Sequence, residues 1–534
     1  MKKTISVKLW ILTVLSGILL SIPYTLSGCG WVAFIALIPL LTAEYIALQN
    51  GKKHFWINYY TCFFIWNLIT TYWIWYATQW GAVAALLLNS LQMALIFRIF
   101  RWFRRRWSGI LPYIGFAALW LCWEHFYFTW QVSWPWLTLG NAFATNVKLV
   151  QWYSVTGTLG GSLWILVLNI LIFRTFLSIS ERKKTKFSLI AIGIVLILPI
   201  IFSSLIYGKN RKLQEQLPKK EVVILQPNID PYNEKFVYSQ QEQDELLLSL
   251  ANEAVTTNTF LVVAPETFFN PSKSAGFLNE DAPHSNLTVQ KIDAFAQNHK
   301  LNFLYGASSQ LTTVSEKQPN VYARKIGFNY WLNTYNSAVF NNSNGNVRFY
   351  HKSKLVIMAE SVPMINKKPV LESFGVNLGG VTGNFTPQDF RTVFKTLDEV
   401  LVGSAICYES VFGEFYREYI QNGATLMTII TNDGWWKNTF GHIQHFNYAR
   451  LRAIETRRYI ARSANTGISA IIDINGDVVE RTPWWEKCYI RGEVAVNKDI
   501  TPFVKYGDVI GMLAAWSALA LFVLAMLSYL FKRK

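Results

Sequence analysis

Apolar stretches long enough to cross a membrane constrain this chain more than any other feature. A transmembrane helix needs about 20 consecutive, mostly apolar residues. Eight such stretches occur among the 534 residues, near 9–27, 30–48, 55–76, 81–100, 109–130, 157–177, 187–207 and 509–530. The composition agrees, since 51% of the residues are hydrophobic and 16% are charged, against about 25% charged in typical soluble proteins. We predict a polytopic α-helical membrane protein with eight spans.

The distribution of basic residues predicts how the chain is oriented. Residues 1–207 contain 16 Lys and Arg but only three acidic residues. The basic residues cluster in alternate connections, at the N-terminus, 50–53, 98–106 and 181–186, whereas the connections near 28, 78 and 131–150 carry almost no charge. Because basic loops remain in the cytoplasm, we expect a cytoplasmic N-terminus and seven spans before residue 208. The eighth span then returns the chain to a basic cytoplasmic tail, Lys532-Arg533-Lys534.

A stretch of soluble composition lies between the seventh and eighth spans. Residues 208–531 contain 31 basic and 30 acidic residues, so this part lacks the basic excess of a nucleic-acid binder. The predicted organisation is a seven-span domain at 1–207, a domain on the periplasmic or external side at 208–508, and a C-terminal span with its tail at 509–534.

The outer stretch alternates short apolar runs typical of strands with amphipathic patterns typical of helices. The predicted strands cover 221–226, 259–266, 302–309, 335–342, 347–352, 400–409, 424–432 and 468–474. The predicted helices lie near 238–255, 286–299, 410–421 and 442–461. This alternation predicts a layered α/β domain.

The N-terminal segment allows a second interpretation. Met1-Lys2-Lys3, an apolar run and then Leu26-Ser27-Gly28-Cys29 imitate a lipoprotein signal peptide with its modified cysteine. However, Pro23-Tyr24 interrupts the run, and another span begins at once. Cleavage would also remove one span and break the charge alternation, so we favour a plain turn between two spans.

Cys407 is the main candidate for a reactive group, because it follows the apolar run 400–406 and precedes the helical pattern at 410–421. The unpaired N–H groups and the dipole at a helix N-terminus lower the pKa of a thiol, which favours a nucleophile. The alternatives are a small buried hydrophobe or a disulfide with Cys488 in an oxidising compartment. Placement alone leaves these open.

Charged residues at the ends of other predicted strands change this balance. Glu266 and Lys352 each end an apolar strand, Glu360 follows eight residues after Lys352, and Glu409 lies two residues after Cys407. Such strand ends meet at one edge of a sheet, where α/β active sites lie. A carboxylate that takes the thiol proton and an ammonium that stabilises the oxyanion make an acyl-transfer set. Taken singly, each residue is also compatible with an ordinary surface charge.

Glu, Lys and Cys in this order, within Pro265-Glu266, Tyr350-His351-Lys352 and Cys407-Tyr408-Glu409, resemble the nitrilase or carbon–nitrogen hydrolase superfamily. With its eight predicted spans, the chain is similar to one membrane-embedded branch, the apolipoprotein N-acyltransferase family. Further segments that fit this branch are 134–137, 157–162, 226–228, 352–363, 431–436, 445–455 and 462–467. The resemblance covers nearly the whole chain and implies a nitrilase-like α-β-β-α sandwich for the periplasmic domain.

The resemblance implies a ping-pong acyl transfer on the outer leaflet of a bacterial inner membrane. Cys407 would attack the acyl ester of a phospholipid, with phosphatidylethanolamine as the expected donor, to give an acyl-thioester. The thioester would then acylate the α-amine of the diacylglyceryl-cysteine of an apolipoprotein. In this mechanism Glu266 is the general base, Lys352 stabilises the oxyanion and Cys407 is the nucleophile.

The resemblance also assigns supporting residues. Glu360 would support Lys352 or the thiol, and Tyr408 and Glu409 would shape the site. No cofactor or metal is implied, and the sequence shows no His/Cys ligand cluster or phosphate-binding Gly loop. We expect a monomer.

Several positions depart from the pattern of the family. Ala264 and Phe236 stand where Trp is usual, and Tyr127 stands where Arg is common. Residues 357–359 replace the commoner Pro-Phe-Gly before Glu360. These departures bear on substrate fit and loop movement, so the predicted reaction class is unchanged.

Three further features have two interpretations each. Glu124, in the fifth predicted span, is either functional, since an intramembrane carboxylate is expensive, or hydrogen-bonded to a neighbouring helix. The His- and Arg-rich segment 442–463 is either an anion site or, as we favour, a solvated helix face or a segment paired internally with Glu455. Trp435-Trp436 and Trp484-Trp485 either contact lipid or cover the thiol, or they pack in the interior.

Two other functions compete with acyl transfer. The first is a membrane-anchored amidase or nitrile hydrolase whose acyl-enzyme is released by water, although such an enzyme needs no seven-span leader. The second is a lipid-binding or lipid-flipping protein with an inactive nitrilase-like domain. The presence of Glu266, Lys352 and Cys407 together argues against the inactive protein, because folding does not require all three.

Overall fold

The computed structural model describes residues 2–531 except 131, 236, 271–275, 358, 362–363, 366–367 and 370–384. The predicted basic tail, Phe236, Met358 and most of the loop 360–380 lie outside the described residues. The chain divides into two compact units. The helical unit comprises Met1–Trp75, Gln79–Lys209 and Tyr506–Lys534, and the sandwich unit comprises Tyr76–Thr78 and Asn210–Lys505.

Most of the helices are apolar along their length, as expected for segments surrounded by lipid and by other helices. The α-helices are α1 (Lys2–Thr25), α2 (Ala33–Ala36), α3 (Ile38–Gln49), α4 (Trp56–Thr71), α5 (Ile74–Ala77), α6 (Gln79–Arg104), α7 (Leu111–Thr129), α8 (Tyr153–Thr156), α9 (Thr158–Ser180), α10 (Lys186–Gln216), α11 (Gln240–Ala254), α12 (Leu287–His299), α13 (Gly413–Gln421), α14 (Phe440–Thr456), α15 (Pro502–Tyr506) and α16 (Val509–Phe531).

Six helical segments among the described residues are long and apolar enough to cross a membrane. They are Thr4–Thr25, Gly30–Gln49, Gln79–Arg104, Thr158–Ser180, Lys186–Gln216 and Val509–Ser528. The prediction of a multi-pass membrane protein is therefore confirmed, with six candidate spans. Two other predicted runs form α4 and α7, which are 16 and 19 residues long and are not among the six.

One carboxylate oxygen of Glu124 is hydrogen-bonded inside the helical unit. Glu124, at 2% exposure, accepts hydrogen bonds from Trp120 Nε1 at 3.0 Å and from the backbone N–H of Leu139 at 2.8 Å. One partner lies on the same helix as Glu124 and the other in the connection that follows it. These contacts favour the hydrogen-bonding interpretation, although we expected the partner to lie on a neighbouring helix. The Gly28–Cys29 segment is a turn between α1 and the helical segment that starts at Gly30.

The sandwich unit contains two large sheets. Its strands are β1 (Lys219–Gln226), β2 (Thr259–Val263), β3 (Leu278–Asn279), β4 (Asn302–Val314), β5 (Arg324–Gly327), β6 (Tyr330–Asn341), β7 (Val347–His351), β8 (Met364–Ile365), β9 (Lys368–Pro369), β10 (Val393–Lys395), β11 (Leu401–Ile406), β12 (Leu426–Thr431), β13 (Ile460–Ala464), β14 (Ala470–Ile472), β15 (Val478–Arg481) and β16 (Cys488–Ala495).

The two sheets have similar strand patterns, with parallel strands at the centre. The first sheet has the order β16-β1-β2-β4-β6-β5, with β3 beside β4 and β7 beside β6. The second has the order β10-β11-β12-β13-β14-β15. β1, β2 and β4 are mutually parallel, as are β11, β12 and β13. The carboxyl ends of the parallel strands therefore lie at one edge of each sheet.

Helices cover the outer faces of the two sheets. The capping box of Ser239 and Glu242 starts α11, and the Asn286 side chain caps α12. The core on this side joins α11, α12 and the first sheet; representative members are Val223, Leu247, Val262, Ile292, Phe303 and Val339. α13 packs against β11, and β1 and β6 face β13 and β11 of the other sheet. The predicted α-β-β-α sandwich is confirmed.

The segment after residue 440 differs from its prediction. The predicted helix at 442–461 ends at Thr456, and Arg457 adopts a left-handed conformation with φ of 52°. Residues Ile460–Ala464 then form β13, a fully buried central strand. The basic side chains in this segment disguised the strand, because a buried strand normally consists of apolar residues.

Four of the five arginines of this segment are buried and Arg450 is half-buried, so the interpretation as a solvated face is wrong. Arg452 and Arg462 are at most 1% exposed. Arg452 donates to Glu455 Oε1 at 3.0 Å, which is the internal pairing that the sequence allowed, and also to the carbonyl of Val411 at 2.9 Å. Through the second bond, α14 supports the turn that follows Cys407.

Replacement of Arg452 by Met should lower the free energy of unfolding of the sandwich unit by about 3–5 kcal/mol. The change removes the guanidinium that neutralises the buried carboxylate of Glu455. Thermal unfolding of the full chain in detergent measures the effect. The double variant Arg452→Met/Glu455→Leu removes both charges and should recover much of the loss; equal destabilisation of the single and double variants would contradict this account.

Candidate active site

The three predicted catalytic residues come together in the sandwich unit. Glu266 follows β2, Lys352 follows β7 directly and Cys407 follows β11. All three line one cavity of about 140 Å³. β2 and β7 belong to the first sheet and β11 to the second. The site therefore lies between two facing sheets, whereas the sequence analysis placed it at one edge of a single sheet.

A glycine allows Glu266 to reach this position. Thr267 has a φ of 47°, which turns the chain sharply after Glu266. The turn lies directly on β4, where the N–H of Gly306 donates to the carbonyl of Pro265 at 3.0 Å. A Cβ atom at position 306 would lie 2.5 Å from Cα of Glu266. The absence of a side chain at Gly306 is therefore what lets the carboxylate enter the cavity.

Lys352 is held between two carboxylates. Its Nζ donates to Glu266 Oε1 and to Glu360 Oε1, both at 2.9 Å. Asn336 Nδ2 donates to the same two oxygens, at 2.8 Å and 2.7 Å. The backbone N–H of Lys352 donates to the carbonyl of Asn336 at 2.8 Å. The four groups form one bridged cluster, and Asn336 is a member that the sequence analysis missed.

The charges of this cluster keep Lys352 ionised. Burial lowers the pKa of Lys352, but the attraction of Glu266 and Glu360 outweighs burial and raises the pKa well above its ordinary value. The ammonium is thus a permanent positive charge at 1% exposure. A fixed cation in a buried site stabilises an oxyanion strongly.

Cys407 lies on a sharp elbow. Its φ of 52° is in the left-handed region, which side chains other than glycine rarely adopt. It begins the short 3-10 helix Cys407–Val411, and α13 starts only at Gly413. A strained turn between a strand and a helical segment presents a nucleophile at the end of a sheet.

The thiol is neutral at rest, so the predicted lowering of its pKa is wrong. Burial and the negative charge of Glu266 raise the pKa of Cys407 well above its ordinary value, and the opposing effect of Lys352 is smaller. With two carboxylates around one ammonium, the cluster is already negative before the thiol ionises. A base must therefore remove the proton as Cys407 attacks. Cys407 and Cys488 are both free, which excludes the disulfide alternative.

Glu409 ties the nucleophile strand to the lysine loop. Its Oε2 accepts from the N–H of Ile406 at 2.8 Å, and its Oε1 accepts from the N–H of Ser353 at 2.6 Å and from the hydroxyl of Tyr350 at 2.8 Å. The carboxylate thus fixes the residues next to Cys407 and Lys352 relative to each other. Tyr408 is buried, and its ring packs edge-on against the ring of Phe412, with 4.9 Å between the ring centroids.

A second buried network lies behind the elbow. His445 Nε2 donates to the carbonyl of Cys407 at 3.0 Å, and its Nδ1 lies 3.0 Å from Asp433 Oδ1. Arg462 donates to Asp433 Oδ2 at 2.6 Å. Burial would raise the pKa of Asp433, but His445 and Arg462 hold it well below its ordinary range. These residues were visible in the sequence as motif members, but their link to Cys407 depends on tertiary contact.

The remaining candidates lie in different surroundings. Trp435 and Trp436 line the cavity. Trp484 is half-buried and stacks on His442 with ring centroids 3.7 Å apart, and Trp485 is exposed. Ala359 lines the cavity, and Ala264 is buried in the core. Within the part of the chain that the structure describes, no cluster of three or more His, Cys, Asp or Glu could hold a metal ion.

The fold and the site together define a class of protein. A buried thiol on a left-handed elbow shares its cavity with a carboxylate and an ammonium, between the sheets of an α-β-β-α sandwich. This arrangement is suited to acyl transfer through a thioester. The sequence model of the carbon-nitrogen hydrolase family matches residues 222–498, which is more than half of the chain. This protein belongs to the carbon–nitrogen hydrolase family, as its sequence motifs predicted.

Comparison with known proteins also covers the helical unit. The model described as the apolipoprotein N-acyltransferase N-terminal domain matches residues 16–171. The apolipoprotein N-acyltransferase of Chlorobaculum tepidum is 28% identical over 517 residues, which is 94% of each chain. That of Geobacter metallireducens is 28% identical over 528 residues, 96% of this chain and 93% of the relative. Among solved structures, Saccharomyces cerevisiae Nit3 aligns with a TM-score of 0.36 and 16% identity, over 52% of this chain and 90% of its own.

Replacement of Glu266 by Gln should have opposite effects on thiol reactivity and on catalysis. Loss of the negative charge removes a repulsion that raises the pKa of Cys407, so alkylation of Cys407 by iodoacetamide at pH 8 should become about 3-fold faster or more. Loss of the base should slow acyl transfer by about 10²-fold or more. Peptide mapping of the alkylated protein measures the first effect. Lys352→Met should slow alkylation; slower alkylation in Glu266→Gln would show that Glu266 activates the thiol at rest.

Replacement of Gly306 by Ala should lower activity by about 10²-fold while the protein remains folded. The new methyl group forces the Glu266 turn away from β4, and displacement of a catalytic group by about 1 Å has an effect of this size. Gly327→Ala in the same sheet is the matched control, since its Cβ would have no neighbour closer than 3.7 Å. Equal activity of the two variants would contradict the role given to Gly306.

Proposed function

We propose that this protein is an apolipoprotein N-acyltransferase, which transfers an acyl chain from a phospholipid to the α-amine of the N-terminal cysteine of a lipoprotein. One observation carries the proposal: the similarity to enzymes of that name extends over 94% of the chain and includes the helical unit as well as the thiol site. The function predicted from the sequence is confirmed at this level. The roles of individual residues are proposals from geometry and chemistry.

The first half-reaction uses the neutral thiol. As Sγ of Cys407 attacks the ester carbonyl of the phospholipid, Glu266 takes the thiol proton. The ammonium of Lys352 stabilises the oxyanion of the tetrahedral intermediate. The carbon–oxygen bond of the ester then breaks, and Glu266 returns its proton to the departing glycerol oxygen. The products are the acyl-thioester and a lysophospholipid.

The second half-reaction uses the same groups in the reverse sense. The neutral α-amine of the diacylglyceryl-cysteine attacks the thioester carbonyl, and Lys352 again stabilises the oxyanion. Glu266 takes a proton from the amine and gives it to Sγ as the carbon–sulfur bond breaks. An amide and the free thiol result. A single base serves both halves because each half begins and ends with Glu266 ionised.

The supporting residues act by holding this geometry. Glu360 and Asn336 complete the shell around Lys352, so that its remaining N–H points to the reacting carbonyl rather than to solvent. Glu409 couples the backbone beside Cys407 to the backbone beside Lys352. Tyr408, packed behind the elbow, limits its movement. These are positioning roles.

The substrates and the membrane setting complete the proposal. A phospholipid donor and a lipoprotein acceptor follow from the activity, with phosphatidylethanolamine as the expected donor and a monomer as the expected state. The basic connections support cytoplasmic ends, eight spans that include α4 and α7, and a catalytic domain in the periplasm. The proposed domain limits are 1–207, 208–508 and 509–534.

Intact mass measurement of the full chain with phosphatidylethanolamine in detergent tests the proposal. The wild type should gain one acyl group, neutral hydroxylamine should remove it, and Cys407→Ala should gain none. Addition of a diacylglyceryl-cysteine peptide should then discharge the adduct and acylate the peptide amine.

Two other outcomes have clear meanings. Lysophospholipid without transfer to the peptide would indicate a hydrolase that releases the acyl group to water. No adduct and no lysophospholipid would overturn the donor step and favour a lipid-binding protein. Cys488→Ser is the matched thiol control and should retain the adduct, since Cys488 lies on β16, away from the cavity-lining residues.

A further inference from the structure

The two half-reactions of the proposed function differ in their proton balance. A thiol and an ester give a thioester and an alcohol, with no net change in protons. An α-amino group has a pKa near 7.7–8.0 and is mostly an ammonium at neutral pH. Its reaction with a thioester therefore releases one proton that Glu266, which only shuttles a proton within each half, does not absorb. The acceptor half alone therefore gives up a proton, which goes either directly to water or first to a second base in the cavity.

Lys235 occupies the place where such a base could act. It lines the same cavity as Glu266 and Cys407, at 5% exposure. Among the described residues, its Nζ has a single hydrogen-bond partner, Thr267 Oγ1 at 2.5 Å, although an ammonium offers three donors. The amine thus binds the residue that follows Glu266 and is incompletely paired inside a cavity, where an unmatched charge is costly.

The backbone holds this side chain in place. The N–H of Lys235 donates to the carbonyl of Asp230 at 2.9 Å, and its carbonyl accepts from Gln243 Nε2 at 3.1 Å. Gln243 belongs to α11, which packs on the first sheet. Lys235 lies in the loop between β1 and α11, and these bonds tie its backbone to Asp230 and to α11.

The electrostatics distinguish Lys235 from Lys352. Burial lowers the pKa of Lys235 to about 8, against a smaller opposing attraction from Glu266. The other ionisable groups that line the cavity are Lys352, Glu360 and Cys407. An amine with this pKa exchanges protons near neutral pH, which is the range that suits a general base.

We propose that Lys235 is the base that accepts the extra proton of the acceptor α-ammonium. The neutral amine of Lys235 takes a proton from the incoming ammonium, which leaves a neutral α-amine and a protonated Lys235. The α-amine then attacks the thioester with Glu266 as described above. Protonated Lys235 finally releases its proton to water, which restores the starting state and accounts for the one proton set free.

The charge of the cavity favours this order of events. In the fraction of molecules whose Lys235 is neutral, Glu266, Glu360 and Lys352 sum to one negative charge, which attracts an ammonium. Once the proton has moved, the cavity is neutral and holds a neutral amine. Without an amine at position 235 the negative cavity would keep the acceptor as an ammonium, which has no lone pair for attack.

The experiment separates the two half-reactions in wild type, Lys235→Met and Lys235→Arg. Acyl-enzyme formation with phosphatidylethanolamine is followed by intact mass, and single-turnover transfer to a diacylglyceryl-cysteine peptide is followed from the acyl-enzyme between pH 6.5 and 9.5. For Lys235→Met we expect acyl-enzyme formation within about 3-fold of wild type at every pH. Acyl transfer to the peptide by this variant should be about 10-fold slower than in the wild type, or more, at pH 7, and within about 3-fold of the wild-type rate at pH 9.5.

Lys235→Arg keeps the positive charge but cannot accept a proton. Acyl transfer to the peptide by this variant should also be slow at pH 7 and recover at high pH. The slow transfer should appear as a weaker apparent affinity for the acceptor, because a fixed cation repels the ammonium. Lys317→Met, at an exposed lysine of the same unit, should behave as wild type in both halves.

The outcomes of this experiment are distinguishable from a failure of the proposed function. Equal loss of both half-reactions at every pH would show that Lys235 only supports Glu266 or the fold, and unchanged transfer would remove it from the reaction; either result overturns the inference. Weaker donor binding with normal transfer would instead assign Lys235 to the phospholipid headgroup and also overturns it. Absence of an acyl-enzyme in the wild type would overturn the proposed function itself.

Discussion

The ion pairs of Lys352 with Glu266 and Glu360 are the interaction on which the rest of the site depends. A single buried ammonium joins two carboxylates from different parts of the chain, and Asn336 bridges the same two oxygens. The negative excess that results keeps the thiol protonated, so in the proposed mechanism Glu266 takes the thiol proton only as Cys407 attacks. Breaking one of these pairs would leave an uncompensated buried charge, which is why the cluster is rigid as well as reactive.

The residues around the cluster fix the positions of these groups relative to one another. Glu409 connects the backbone next to Cys407 with the backbone next to Lys352, and His445 holds the carbonyl of Cys407 from behind. Buried polar networks of this kind contribute most when every member is satisfied. They compensate for a left-handed elbow that would otherwise relax, and they place catalytic geometry on the sheets rather than on loops.

Much of the fold followed from local pattern. The apolar runs predicted the multi-pass helical unit, and the alternation of strands with amphipathic helices predicted the sandwich, including each strand that precedes Glu266, Lys352 or Cys407. The failures have physical causes. β13 contains Arg462 at its centre, and a charged strand becomes possible only because Asp433 lies opposite to pair with it. α4 and α7 are helices as predicted, although their length or composition sets them apart from the six candidate spans.

By itself, the sequence determined the membrane character, the strands that precede the site and the choice of Glu266, Lys352, Glu360 and Cys407 as candidates, because periodicity and strand ends are properties of short segments. Only the tertiary structure decided which groups touch. Asn336, Lys235 and the raised pKa of Cys407 depend on burial and on charges from other strands and loops. A residue that looks like a surface lysine in the sequence becomes chemically distinct only when the folded chain removes water from around it.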